Sequence, residues 1–155
     1  MSENELRIGN LFWLNDGTDS IVKVEEIYKV HPHAYYFIEW NRIQGRGDTS
    51  KGNSVIDALK PISLTSQLLE YNCGFRRITS GSPEYKLAIR TDSVATEDTC
   101  AFYSIVLTGQ STLGVIYTVN GIVCSEPVLY LHQLQNLYFT LTRTELLINI
   151  EAAFI

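Results

Sequence analysis

Three histidines, three cysteines and a run of aromatic residues are the side chains of this 155-residue sequence whose types could do chemistry. His31 and His33 lie two positions apart, so in an extended segment both imidazoles project from one face and could reach one metal ion. A zinc site needs two further ligands. His132 or a cysteine would have to supply one, and nothing in the sequence places them nearby. The same histidines could act as a general base beside a carboxylate, which makes a small hydrolase using His31, His33 or His132 the enzymatic alternative. The chain contains no Ser nucleophile elbow, HExxH, Walker loop or GxGxxG pattern. Gly45-Arg46-Gly47-Asp48 lacks the strand-to-helix frame that a phosphate cradle requires. No catalytic residue, metal or cofactor is therefore assigned. Cys73, Cys100 and Cys124 never form a CxxC pair and read as reduced, mostly buried thiols.

Binding is the better-supported chemistry. In the aromatic run Tyr35-Tyr36-Phe37 with Trp40, successive residues alternate between faces. One set enters the core. The other, Tyr36 with Ile38 and Trp40, is expected to face solvent, another lobe or a ligand, and rings with polar tips suit such surfaces. His132, Gln133, Gln135 and Asn136 form a polar face beside the apolar stripe of Leu131, Leu134 and Tyr138. They serve either as hydrogen-bonding groups in a cleft or as caps for strand ends and loop backbone, the commoner fate of buried amides. Tyr36, Trp40, His132, Gln135 and Asn136 are thus the candidate binding residues.

The composition narrows the partners. Hydrophobic residues make up 45% and charged residues 19%, which is globular. Twelve basic against 17 acidic side chains give a net charge of -5, the wrong sign for a protein whose affinity comes from neutralising phosphates along a nucleic acid. Arg42, Arg46 and Lys51 cluster around a Gly-rich stretch that reads as a solvated loop. The opening Met1-Ser2-Glu3-Asn4-Glu5 has neither the basic nor the apolar region of a signal peptide. No apolar run approaches the roughly 20 residues that span a bilayer. A cytoplasmic protein without membrane association is expected.

The elements that must position these residues change character along the chain. Short β-patterned runs come first: Leu6 to Trp13, Ile21 to Ile27 and Ala34 to Trp40, with Asn15-Asp16-Gly17 as a turn, predict a meander. Ile43 to Asn53 holds almost nothing apolar and is expected to be an exposed loop. Thr65 is placed to cap a two-turn helix over Ser66 to Asn72, which Gly74 ends with Phe75 folding back. Further strands are predicted over Tyr85 to Arg90, Phe102 to Leu107, and Leu113 to Val119 with Ile122 to Ser125. The last two are joined by Asn120-Gly121, which suits the positive φ of a type I′ turn. Leucines at helical spacing predict a helix from about Leu129 to Leu141. Beyond Thr142 a short capped turn and an edge strand remain open alternatives. The fold class is α+β: one domain over 1–155, a mostly antiparallel bent sheet or small barrel with a short central helix and a C-terminal helix packed on it. Lobes are conceivable as a β-meander over 1–60 and a helix-sheet-helix over 61–155.

Two stretches carry a resemblance. Leu6-Arg7-Ile8-Gly9-Asn10 and His132-Gln133-Leu134-Gln135-Asn136-Leu137-Tyr138-Phe139, followed by Leu141-Thr142, are similar to the LRIGN-like start and HQLQNLYFALTGEEL-like end of a family of uncharacterised phage and prophage-type proteins of gut Bacteroidota. Pro61 to Phe75 looks like that family's central helix, with Cys73 where a Phe is usual and Arg143-Thr144 where Gly-Glu is usual. The resemblance implies a mobile-element origin and a setting in the bacterial host's cytoplasm, and it transfers no activity. The expected function is a non-enzymatic binding protein, an accessory or counter-defence factor that engages a host protein or sequesters a small nucleotide-like signal. The apolar tail Ala152-Ala153-Phe154-Ile155 adds the expectation of a homodimer that covers it.

Overall fold

Strands β1 (Leu11–Leu14), β2 (Ser20–Val30) and β3 (Tyr35–Gln44) form the expected antiparallel meander. The computed structural model describes residues 5–17, 20–30, 35–45, 50–80, 84–90, 102–108, 115–119 and 122–151. His31, His33, Arg46, Cys100, Asn120, Gly121 and the tail from Ala152 lie outside the described residues. Gly17, at φ +81°, serves the turn after β1 with the left-handed backbone that glycine adopts without strain. Register shifts between Ile21 and Val22 and between Val24 and Glu26 mark bulges where β2 bends against β3.

The chain divides into two compact units, residues 1–63 with 130–139 and residues 64–129 with 140–155. In the first, β4 (Lys51–Val55) and β5 (Leu59–Lys60) complete a five-stranded sheet in the order β4-β3-β2-β1-β5. Phe12, Leu14, Val22, Val24 and Ile38 are its buried core, the alternate residues of three neighbouring strands. Helix α1 (Leu131–Thr142) is close to the span that the leucine spacing predicts, and it completes an α+β fold. Leu131 and Leu134 are fully buried.

Three expectations for this unit are corrected. Ile38 and Trp40 turn inward: Ile38 is fully buried and Trp40 is 7% exposed, whereas Tyr35 on the opposite face is 63% exposed. Burial of an isoleucine leaves no polar group to satisfy, and the single indole N–H of Trp40 is met by the Ser54 Oγ at 3.2 Å. Tyr36, at the end of the same inward row, is half-buried with the Lys29 ammonium 5.4 Å from its ring centre. The loop expected over Ile43 to Asn53 is shorter, because β3 runs on to Gln44 and β4 begins at Lys51. Gly52, opposite Trp40 in the register, gives the indole a flat surface: a Cβ there would lie 2.5 Å from the ring. Close approach to one large ring makes up for the missing apolar side chains. Arg42, read as part of a solvated basic loop, lies within β3 with its side chain 9% exposed and pairs with Asp16 at 3.4 Å.

The second unit carries β6 (Arg76–Arg77), β7 (Glu84–Arg90), β8 (Phe102–Thr108), β9 (Val115–Val119) and β10 (Ile122–Val128), in the order β10-β9-β8-β7-β6. Val119 pairs with Ile122, the register of a two-residue connection. The Thr65 hydroxyl accepts the Leu68 N–H at 3.1 Å, and Gly74 sits at φ +73° with Phe75 buried after it, as the sequence predicts. The segment Leu68–Asn72 is wound as a π-helix, with the Cys73 N–H donating to the Leu68 carbonyl at 3.0 Å. Burial pushes the Cys73 thiol up to about 12, which keeps it protonated and unreactive. After α1, Arg143 takes φ +58° and residues 145–149 are neither helix nor strand. They are tied down by a reciprocal pair: the Asn149 N–H donates to the Asn72 carbonyl at 2.8 Å, and Asn72 Nδ2 donates to the Asn149 carbonyl at 2.7 Å. No helix among the described residues is long and apolar enough to cross a membrane.

Gly52→Val should lower stability by about 1 to 3 kcal/mol, because the added side chain must displace the Trp40 ring. Leu134→Ala should cost about 2 to 5 kcal/mol, as expected for a fully buried leucine. Urea melts with an unchanged slope and a lowered midpoint would bear out both, and a loss under about 0.5 kcal/mol for Leu134→Ala would make α1 peripheral.

Candidate functional site: a cationic cleft and a buried polar clamp

The polar face of α1 clasps the segment before β1. Gln135 Nε2 donates to the Gly9 carbonyl at 3.2 Å, and its Oε1 accepts the Leu11 N–H at 2.9 Å. Asn136 Nδ2 donates to the Glu5 carbonyl at 2.7 Å, while its Oδ1 accepts from Asn10 Nδ2 at 2.9 Å and from Arg7 Nε at 3.1 Å. Asn10 Oδ1 in turn accepts the Arg7 N–H at 2.8 Å, and the Arg7 guanidinium stacks 4.3 Å from the centre of the Phe139 ring. Gln133 Oε1 accepts the Tyr130 N–H at 3.2 Å, a side chain reaching back to cap its own helix. An amide offers both donors and acceptors, which is why glutamine and asparagine can satisfy an irregular stretch of buried backbone.

His132 is different. It is 1% exposed, packs against the rings of Phe12 (4.9 Å between centres) and Tyr130 (5.8 Å), and neither ring nitrogen has a hydrogen-bond partner among the described residues. Burial pushes its pKa down to about 4, the Glu5 charge opposing, so the imidazole is neutral and serves as a core ring. Of the residues singled out from the sequence, Trp40, His132 and Gln135 are thus buried in the first unit, and Tyr36 and Asn136 are half-buried. Among the described residues no group of three or more His, Cys, Asp or Glu side chains could hold a metal ion.

A cavity occurs elsewhere, in the second unit. A half-open cleft of about 600 Å³ is lined by Gly74, Arg76, Arg77, Ile78, Lys86 and Leu87. Its geometry follows from the pairing of β6 with β7, in which Arg76 stands opposite Lys86 and Arg77 opposite Tyr85. Arg76 and Lys86 are both exposed and neither forms an ion pair among the described residues. Like charges directly across a ladder repel, so this pair on its own is locally destabilising. Arg77 is held: its Nη2 donates to Glu70 Oε1 at 2.9 Å and to the Tyr85 hydroxyl at 2.9 Å, and its Nε donates to Glu70 at 3.2 Å. The Glu70 carboxylate, foremost by these hydrogen bonds, and then Tyr85 hold the guanidinium pKa above its ordinary value. Ile78, 45% exposed, and Leu87 supply apolar wall. Such a cleft can take an anion at the Arg76 and Lys86 end and a less polar group against Ile78 and Leu87.

Sequence reasoning missed these residues. The consecutive pair Arg76-Arg77 was visible, but Lys86 joins it only through the strand register. The chain matches no protein-family model, no curated protein and no solved structure, so its function is read from its own residues.

Stability should fall with acid in a window set by His132. Its folded pKa of about 4 lies below the ordinary 6.5, so the unfolded chain binds a proton first as the pH drops. The contribution is complete above pH 6.5 and is lost on the way down to about 4, a change of about 3 kcal/mol. His132→Phe keeps a ring between Phe12 and Tyr130 and should flatten the urea-midpoint profile over that window; an unchanged profile would place the acid sensitivity elsewhere.

Proposed function

We propose that this chain is a non-enzymatic binding protein that sequesters a small nucleotide-like anion in the cleft between β6 and β7, acting in the cytoplasm of a bacterial host as an accessory, counter-defence factor of a phage or prophage. One observation carries the ligand class: two cations without an ion pair among the described residues, Arg76 and Lys86, are set opposite each other at a cleft in a chain whose net charge is -5. A guanidinium and an ammonium are the standard partners of phosphate oxygens, the first through its planar fork and the second as a point charge. The cleft's volume of about 600 Å³ falls in the range of small-molecule sites. Ile78 and Leu87 give a base or sugar an apolar surface, and guanidinium planes also stack on bases. The first unit, with its polar groups turned inward on itself, supports a scaffold role. Binding without turnover separates this reading from the hydrolase alternative.

Titration calorimetry with adenosine 5′-monophosphate should give measurable binding, and chromatography should recover the nucleotide intact after prolonged incubation. Arg76→Glu with Lys86→Glu removes two charge-assisted contacts worth about 1.5 to 3 kcal/mol each, so affinity should fall by more than about tenfold. Both positions are exposed, so the melting temperature should hold. Conversion of the nucleotide, or undiminished binding by the double variant, would overturn the proposal.

A further inference from the structure

Resting on that reading of the cleft, we infer that its ligand presents a dianionic phosphomonoester and that Glu70 sets this preference through Arg77. Arg76, Arg77 and Lys86 bring three positive charges to the lining. Glu70 neutralises one of them, because both Arg77 Nε and Nη2 are engaged by a single Glu70 oxygen at 3.2 and 2.9 Å. Among the described residues the other two charges, on Arg76 and Lys86, have no ion-pair partner, and they face each other in the ladder. A terminal phosphate carries about two negative charges near neutral pH, whereas a phosphodiester carries one. A dianion balances the charges of Arg76 and Lys86, whereas a monoanion leaves one of the two without a counter-charge.

The Tyr85 hydroxyl, at 2.9 Å from Arg77 Nη2, and the Glu70 carboxylate fix the guanidinium from two sides, on two different elements, the π-helical segment and β7. Tyr85 is 2% exposed, so this anchor is rigid. An arginine held this way is a wall of the cleft with a reserve of charge. Removal of the Glu70 carboxylate releases that charge without altering the lining. Arg77 is accordingly a specificity-setting residue and Glu70 a positioning residue that acts through it.

The experiment measures affinities of the full chain for adenosine 5′-monophosphate, adenosine 3′,5′-cyclic monophosphate, adenosine 5′-diphosphate and inorganic phosphate by calorimetry at pH 7.5 in one buffer. The monophosphate should bind at least about tenfold more tightly than the cyclic diester, which shares its base and sugar. Inorganic phosphate should bind more weakly than the nucleotide, since it leaves Ile78 and Leu87 uncovered. Glu70→Gln raises the surplus from two charges to three and should shift preference toward the diphosphate by several-fold. It should leave the ratio between the monophosphate and inorganic phosphate unchanged, which a merely structural loss would not do. Glu70→Asp, which restores the carboxylate, should return the preference toward that of the parent. Equal affinity for the cyclic diester and the monophosphate would overturn this inference while leaving the anion cleft standing. An unaltered diphosphate preference in Glu70→Gln would overturn the role of Glu70. Absence of binding by every one of the four anions would overturn both this inference and the function on which it rests.

Discussion

The first unit depends on two amides of α1, Gln135 and Asn136, which satisfy the irregular backbone that leads into β1. A segment that is neither helix nor strand leaves donors and acceptors without ladder partners, and burying them unpaired would cost more than the fold can spare. Gly9, Asn10 and Leu11 are buried, so water is not the partner. The amides take its place. The segment adds bonds of its own, from the Arg7 N–H to Asn10 Oδ1 and from the Asn10 N–H to the Arg7 carbonyl, Val24 of β2 pairs with Gly9 and Asn10, and the Arg7 guanidinium closes the arrangement over Phe139. Two stretches more than a hundred positions apart in the sequence, Leu6 to Asn10 and His132 to Asn136, are thereby one structural device. Any substitution in one of them must be read against the other, because their hydrogen bonds form a connected set.

His132 shows the other side of the same economy. Helical spacing puts it on the polar face with Gln135 and Asn136, yet its ring is spent on stacking with Phe12 and Tyr130. The consequence is a neutral imidazole whose proton affinity is lowered by burial. The second unit distributes its polar groups differently. Asn72 and Asn149 close a loop on each other, and Arg77 is pinned by Glu70 and Tyr85, but Arg76 and Lys86 are left facing outward at a cleft. Where one part of a protein satisfies its polar groups internally and another leaves like charges opposed, the second is the place to look for a ligand.

Local signals were the legible part of the chain. The alternating runs of the first meander, the turn at Asn15-Asp16-Gly17, the Thr65 cap with Gly74 and Phe75, the two-residue spacing between Val119 and Ile122 and the leucine period of α1 each depend on residues within one or two turns or strands of one another. Sterics and short-range hydrogen bonding decide such features, and composition carries the α+β class. The phase of β3 was not legible, since alternation says that two faces differ and not which is buried. Trp40 went inward because Gly52 and Ser54 on β4 fit its ring and its N–H, and β4 itself has too little apolar pattern to announce a strand.

Residue types alone determined that His132, Gln135 and Asn136 lie together on one helix face, and that buried amides would tend to satisfy backbone. Only the tertiary structure decided which backbone, namely Glu5 to Leu11, because that choice is made by packing a helix against a strand entry far away in the sequence. The cleft was decided in the same way. Arg76 and Arg77 are adjacent in the chain and Lys86 follows at a distance that no motif marks; strand register sets Lys86 opposite Arg76, and the Glu70 and Tyr85 contacts separate the role of Arg77 from that of its neighbour. Charge at a point in space depends on which side chains the fold brings there and which it neutralises, and that is a property of register and contact rather than of composition.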